Sequence, residues 1–196
     1  MPYLIGLTGQ TGAGKTLVGG LLARHGCEVI DCDQISREIY LPGSPVLEKI
    51  VKRFGNDILR PDGSLDRAAL AHKAFATEKD VAALNAITHP AIYQISFGRA
   101  QRAMQEGRHA VLDAAALFES NGDLICHFSI AVVAPKEVRL GRILARDDIT
   151  EQAAKERMAA QKEDSFYTNR ADYVIRNYPP FVLEEELQPV FAKLNN

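Results

Sequence analysis

The chain has 196 residues, a length that fits one domain carrying an insertion rather than two full domains. Hydrophobic residues make up 46% and charged residues 24%, so neither intrinsic disorder nor a fibrous repeat fits. Lys+Arg 23 against Asp+Glu 25 gives a net charge of −2, which argues against a dedicated nucleic-acid binder but leaves room for a local basic pocket around a small phosphorylated ligand.

In chain order, residues 3–7 read as a buried strand and residues 15–25 as a helix, with Val18, Leu21 and Leu22 on one face and Gly26 as its stop. Val29-Ile30 is a second strand delivering Asp31 and Asp33. Residues 34–108 hold no convincing strand. Their apolar residues fall at helical spacing (Val46, Leu47, Ile50, Val51, Phe54), and a turn at Arg60-Pro61-Asp62-Gly63-Ser64 separates two helical parts. Pro90 is expected to break or kink a helix over residues 78–105. Further strands follow at residues 110–112, 128–133 and 173–175. Between the last two, residues 135–164 are helical and charged, with a break at Asp147-Asp148-Ile149-Thr150 where Thr150 caps the next helix. Residues 181–194 read as one amphipathic helix that Pro189 kinks or shortens. Alternating short apolar runs and longer amphipathic segments predict an α/β fold around a parallel sheet.

The three cysteines, Cys27, Cys32 and Cys126, are odd in number and lack CxxC spacing, which suits buried thiols in a reducing compartment. No apolar run approaches the ~20 residues of a membrane span, and the N-terminus lacks the basic start of a signal peptide. A cytoplasmic protein with no membrane association and no evident obligate protein partner is expected.

The most informative residues are Gly9-Gln10-Thr11-Gly12-Ala13-Gly14-Lys15-Thr16, which match G-x-x-x-x-G-K-[ST] in full between a strand and a helix. By average composition, a chance match in a chain this long is on the order of one per cent. Glycines let successive backbone N–H groups curl toward phosphate oxygens. Lys15 suits the β- and γ-phosphates, the Thr16 hydroxyl suits Mg²⁺, and the helix N-terminus adds positive potential, with the Leu17 N–H in reach of the α-phosphate. The motif predicts binding of a nucleoside triphosphate. No N-K-x-D for reading guanine occurs, and a small core with a helical insertion and an arginine-rich flap favours a small-molecule kinase.

Asp31 and Asp33 follow the second strand, where open α/β sheets place their crevice. Asp33 is the candidate to orient an acceptor hydroxyl and take its proton; Asp31 either assists Mg²⁺ through water or caps the next helix. Asp113, after another apolar run, either supports Mg²⁺ through water or caps a loop. Arg139, Arg142 and Arg146 fall at i, i+3 and i+7, which predicts one cationic helix face for a lid, with Arg142 and Arg146 the leading candidates. Arg157, Lys162 and Arg170 add nearby charge.

An ordered series of further motifs carries a resemblance. It comprises Val29-Ile30-Asp31-Cys32-Asp33 with Arg37, then Phe54-Gly55, Asp62-Gly63-Ser64-Leu65-Asp66-Arg67, Leu70 and Phe75. Leu84-Asn85-Ala86-Ile87-Thr88-His89-Pro90, Leu117-Phe118-Glu119, Arg146-Asp147-Asp148, Gln161 and Ala171-Asp172-Tyr173-Val174-Ile175 with Asn177 complete it. Together they resemble the dephospho-CoA kinase family over nearly the whole chain. The resemblance implies a three-layer P-loop NTPase fold with a five-stranded parallel sheet. It would have a core of residues 1–33, 109–134 and 170–196, a helical acceptor-binding insertion at 34–108 and a helical lid at 135–169. It implies ATP- and Mg²⁺-dependent phosphorylation of the ribose 3′-hydroxyl of dephospho-CoA. It also implies roles: Asp33 on that hydroxyl, Arg37, His89, Leu117 and Glu119 in the acceptor pocket, Arg142 and Arg146 over the phosphates, and Asn177 near adenine. For His89, holding a helix break is an equal alternative. The family's P-L-L-F-E stands here as Ala115-Ala116-Leu117-Phe118-Glu119, Leu17 replaces its usual Thr, and Asn177-Tyr178-Pro179 replaces an asparagine followed by a glycine turn. The competing readings are a kinase of the same fold for another nucleoside, nucleotide or sugar-like acceptor, and a nucleotide-binding switch without an acceptor.

Overall fold

The computed structural model describes residues 1–195. The chain divides into two compact units, Met1–Ile30 with Ala100–Asn196, and Asp31–Arg99.

The first unit is built on a five-stranded sheet of β1 (Leu4–Gly9), β2 (Glu28–Asp31, ending one residue into the second unit), β3 (Ala110–Asp113), β4 (Phe128–Val133) and β5 (Tyr173–Arg176), in the order β2-β3-β1-β4-β5. Pairings β1–β3, β1–β4 and β4–β5 are parallel, with Leu7 opposite both Asp113 and Ile130. β1 is buried at all six positions, as suits a central parallel strand whose first four residues, Leu4–Leu7, are apolar or glycine. From it the chain leaves toward β2 on one side and later toward β4 on the other, so the loop after β1 lies at the switch point of the sheet. Helix α1 (Lys15–Arg24) packs Val18, Gly19 and Leu22 inward. It stops at Gly26, whose φ of 88° lets Gly26 N–H and Cys27 N–H bond back to Ala23 and Leu22 carbonyls. The core joins Ile5, Leu7, Val18, Leu22, Val111, Ile130, Val132 and Ile175 with residues of the C-terminal helices.

The second unit is helical: α2 (Cys32–Glu38), α3 (Pro45–Phe54), α4 (Arg67–Ala74) and most of α5 (Glu78–Gln105), which ends in the first unit. Leu47, Ile50, Phe54, Ile58, Leu65 and Leu70 form its core. The Arg60–Ser64 turn is framed by an antiparallel bridge between Leu59 and Leu65. Of the expected break or kink, the break does not occur: α5 runs through Pro90 as one helix. Pro90 removes the donor to the Ala86 carbonyl, but Ala86, His89 and Pro90 are all exposed, so water can serve that carbonyl.

After β4 the first unit continues with α6 (Lys136–Arg146), α7 (Glu151–Ala159) and α8 (Asp164–Thr168). Thr150 Oγ1 accepts from Ala153 N–H at 3.2 Å and starts α7 as its sequence predicts. The expected single C-terminal helix is two, α9 (Leu183–Glu186) and α10 (Gln188–Leu194), with Pro189 in the first turn of α10, where a missing donor is tolerated. No helix among the described residues is long and apolar enough to cross a membrane.

Candidate active site

β1 ends at Gly9, and the loop Gln10–Gly14 turns into α1. Gly12 and Gly14 have φ of 79° and 99°, conformations that side chains disfavour. The outward carbonyls of the loop are held from outside it. Arg142 Nη1 donates to the carbonyls of Gly12 (3.3 Å) and Ala13 (3.2 Å), and Asn177 Nδ2 donates to that of Ala13 at 2.8 Å. Arg142 Nη2 in turn donates to the Asn177 carbonyl at 2.8 Å. In a trans peptide the C=O and N–H point opposite ways, so fixing the Ala13 carbonyl aims the Gly14 N–H to the other side. No side chain caps α1, whose N-terminus carries positive potential there.

Lys15 Nζ pairs with Asp113 Oδ1, which the parallel register of β1 and β3 brings to the end of the sheet. Asp113 is thus an ion-pair partner of the loop lysine. Thr16 and Leu17 are exposed, and the Leu17 N–H donates to the Gly14 carbonyl at 3.0 Å. Thr11 N–H donates to Gln161 Oε1, and buried Gln10 donates through Nε2 to the Lys162 carbonyl, both at 2.9 Å. Gln161, which the sequence marks only as part of the motif series, thus holds the loop backbone at Thr11.

The single arginine face expected of α6 is divided. Arg139 is 1% exposed, donates through Nε to the Ala134 carbonyl at 3.0 Å, and lies 3.5 Å from Asp164. Arg142 is spent on the loop, and Arg146, with 60% of its side chain exposed, forks onto Asp147 at 2.8 and 3.0 Å. Arg139 and Arg146 share an azimuth but stand two turns apart, roughly 10 Å along the axis, so burial differs at the two ends. Arg146 and Arg157 hold the Asp147 carboxyl down to about 2. Arg170, expected to add charge near the lid, forks onto Asp123 and reaches the Phe118 carbonyl.

Leu117 is buried, and exposed Glu119 accepts from Tyr167 Oη at 2.9 Å. Burial, together with that carboxylate, pushes the Tyr167 hydroxyl well above its usual range. In the second unit, Asp33 stands in the first turn of α2 rather than on a continued strand, because Asp31 caps that helix by accepting from Gln34 N–H at 2.8 Å. Asp31 is therefore an N-cap. Arg37 lies in the last turn of α2 and is exposed, as is His89 on α5. His89 sits in continuous helix, so it does not hold a helix break.

Comparison with known proteins places this architecture. The dephospho-CoA kinase family model matches residues 3–180. A dephospho-CoA kinase of Corynebacterium glutamicum is 41% identical over 174 residues, covering 88% of this chain and 87% of that protein. A Thermus thermophilus protein of known crystal structure superposes with a TM-score of 0.85 at 30% identity, covering 100% of this chain and 99% of that one. A dephospho-CoA kinase from Campylobacter jejuni shares the fold at a TM-score of 0.62 and 23% identity, covering 98% and 97% of the two chains. The match spans the sheet, the nucleotide loop and the helices that hold it, and this chain belongs to the dephospho-CoA kinase family.

Proposed function

We propose that this chain transfers the γ-phosphoryl group of ATP to the ribose 3′-hydroxyl of dephospho-CoA, giving coenzyme A and ADP. The observation that carries the reading is the nucleotide loop at the switch point of the sheet, with Lys15 at its exit, in a chain of this family. The 3′-oxygen forms the new bond to the γ-phosphorus, the bond from that phosphorus to the β,γ-bridging oxygen breaks, and the hydroxyl proton passes to the Asp33 carboxylate. Arg37, His89, Leu117 and Glu119 hold the acceptor, and Asn177 lies toward the adenine of ATP.

Lys15 meets the β- and γ-phosphates, with the Asp113 carboxylate beside it aiming the ammonium. Arg142 and Arg146 are the further cations, unequal in freedom. Arg142 is held by three carbonyls, whereas the surface pair of Arg146 with Asp147 is worth little and releases the guanidinium readily. The residues suit Mg²⁺: the Thr16 hydroxyl and the Asp113 carboxylate, the latter through water, are hard oxygen donors. Among the described residues no group of three or more His, Cys, Asp or Glu forms a cage, which fits an ion held largely by phosphates. Bound there, Mg²⁺ neutralises phosphate charge. The three cysteines are thiols, which supports a cytoplasmic location.

ADP release assayed over a panel of acceptors tests the reading. Selective stimulation by dephospho-CoA is expected. Asp33→Asn should keep ATP affinity while turnover falls by about 10²-fold or more, the scale of a positioned base. Stimulation by another acceptor instead, or ADP release independent of any acceptor, would select one of the competing readings, and near-normal turnover in Asp33→Asn removes that residue from the proton's path.

A further inference from the structure

The connection between β3 and β4, residues 114–127, carries Leu117 and Glu119, and Tyr167 and Arg170 hold its first part. Arg170 supplies most of the grip. Its Nε and Nη2 fork onto Asp123 at 2.8 Å each, Nη1 donates to the Phe118 carbonyl at 3.0 Å, and Nη2 also donates to Asn121 Oδ1 at 3.0 Å. The guanidinium lies 5.2 Å from the Phe118 ring centroid. Asp123 is 12% exposed at its side chain, so this fork is largely screened from water and stronger than a surface pair. Asn121, at φ 56°, is the described non-glycine residue with positive φ, and its side chain is one of the groups Arg170 holds.

Tyr167 adds the second grip. The residue is 1% exposed, packs with Leu117, Phe118 and Ala131, and its ring stands perpendicular to Phe166 at 5.3 Å. From there its hydroxyl donates to Glu119 Oε1. A surface carboxylate on a loop ordinarily samples many rotamers; this one is tied to a buried, stiff donor. Two side chains from the four-residue stretch 167–170, at the end of α8 and its exit, thereby fix the backbone at Phe118, the turn at Asn121 and the direction of Glu119.

We infer that Tyr167 and Arg170 are positioning residues that hold the β3–β4 connection, and with it Leu117 and Glu119, in the geometry that receives the acceptor. The inference rests on the proposed function, which assigns Leu117 and Glu119 to dephospho-CoA. Neither positioning residue is required to touch a substrate, and neither holds the nucleotide loop, so their loss should be felt by the acceptor alone.

Steady-state ADP release by the full chain and by Arg170→Met, Arg170→Lys and Tyr167→Phe tests it, with each substrate varied at saturation of the other. Arg170→Met is expected to raise KM for dephospho-CoA about tenfold or more, the scale of a binding group displaced by a fraction of an ångström, with KM for ATP unchanged. Arg170→Lys keeps the charge without the fork and recovers part of that loss. Tyr167→Phe keeps the ring in its cluster, so it folds, and is expected to raise the same KM a few-fold. If the clamp only stabilises the protein, the variants lower Tm and the active fraction while both KM values stay in place. That pattern, a parallel rise in KM for ATP, or an unmoved dephospho-CoA KM in Tyr167→Phe and Arg170→Lys overturns the inference. A wild-type chain without dephospho-CoA-dependent ADP release overturns the proposed function itself, and is read before any variant is made.

Discussion

Gly12 occupies one of the four unrestricted positions of the phosphate-binding motif, so phosphate binding alone does not demand a glycine there. The packing of α6 does. At φ 79°, a Cβ on residue 12 would lie 2.6 Å from the Arg139 carbonyl oxygen and 3.0 Å from its Cα, short of ordinary contact at 3.4 Å by about 0.8 Å in the first case. The obstacle is backbone in the first turn of a helix, with Arg139 N–H bonded to the Pro135 carbonyl and the buried side chain pinned to Ala134, so it cannot rotate away. For Gly12→Ala, the left-handed conformation costs about 1 kcal/mol and the overpacking about 1–3 kcal/mol. The total, about 2–4 kcal/mol, corresponds in a chain of this size to a fall in Tm of roughly 4–16 °C.

Gly20→Ala is the matched control. It lies inside α1, where a Cβ meets nothing within 4 Å, so replacing glycine should stabilise the helix by about 1 kcal/mol and raise Tm by roughly 2–4 °C. Calorimetry of both variants without nucleotide reads the two shifts directly. Opposite signs are expected. A Tm for Gly12→Ala at or above wild type would refute the argument, because α6 would then have yielded to the new methyl at no cost.

Two further substitutions probe the same region. Arg142→Lys leaves one ammonium to serve carbonyls of Gly12, Ala13 and Asn177 that a planar fork now spans, so KM for ATP should rise about tenfold; unaltered ATP binding by titration calorimetry would remove Arg142 from loop organisation. Asp147 is held near 2, chiefly by its hydrogen bonds from Arg146 and then Arg157. A depressed carboxylate contributes stability that is present above its ordinary value near 3.8 and is lost as pH falls through about 2. Urea midpoints of Asp147→Asn should therefore decline less than those of wild type across that window, and coincident pH profiles would contradict the assignment.

The sheet was legible because a buried parallel strand needs little beyond an unbroken apolar run, and β4 occupies the same residues in sequence and structure. The cap at Thr150 and the stop at Gly26 were legible for the same reason: each is a local decision made within about four residues. Pro90 was not, because whether a proline breaks a helix depends on what can serve the carbonyl it strands, and exposure of Ala86 is a tertiary fact. That Asp33 lies in a helix rather than a loop after β2 was not legible either, because it depends on Asp31 capping α2.

The site divides along the same line. The nucleotide loop announces itself because its chemistry resides in backbone conformation, which glycine spacing records directly. Arginine roles do not, since Arg139, Arg142 and Arg146, which share one helical spacing, and the nearby Arg170 are put to four uses. Arg139 is buried against Ala134, Arg142 organises loop carbonyls, Arg146 remains at the surface, and Arg170 clamps the β3–β4 connection. What separates them is where each Cα falls relative to a core that the arginines themselves do not specify. A guanidinium carries its charge everywhere, so the work it does is decided by which carbonyls and carboxylates the fold leaves within reach. Cations that move on closure should then be sought among those whose present partners are solvent-exposed, which here singles out Arg146 over Arg142 and Arg170.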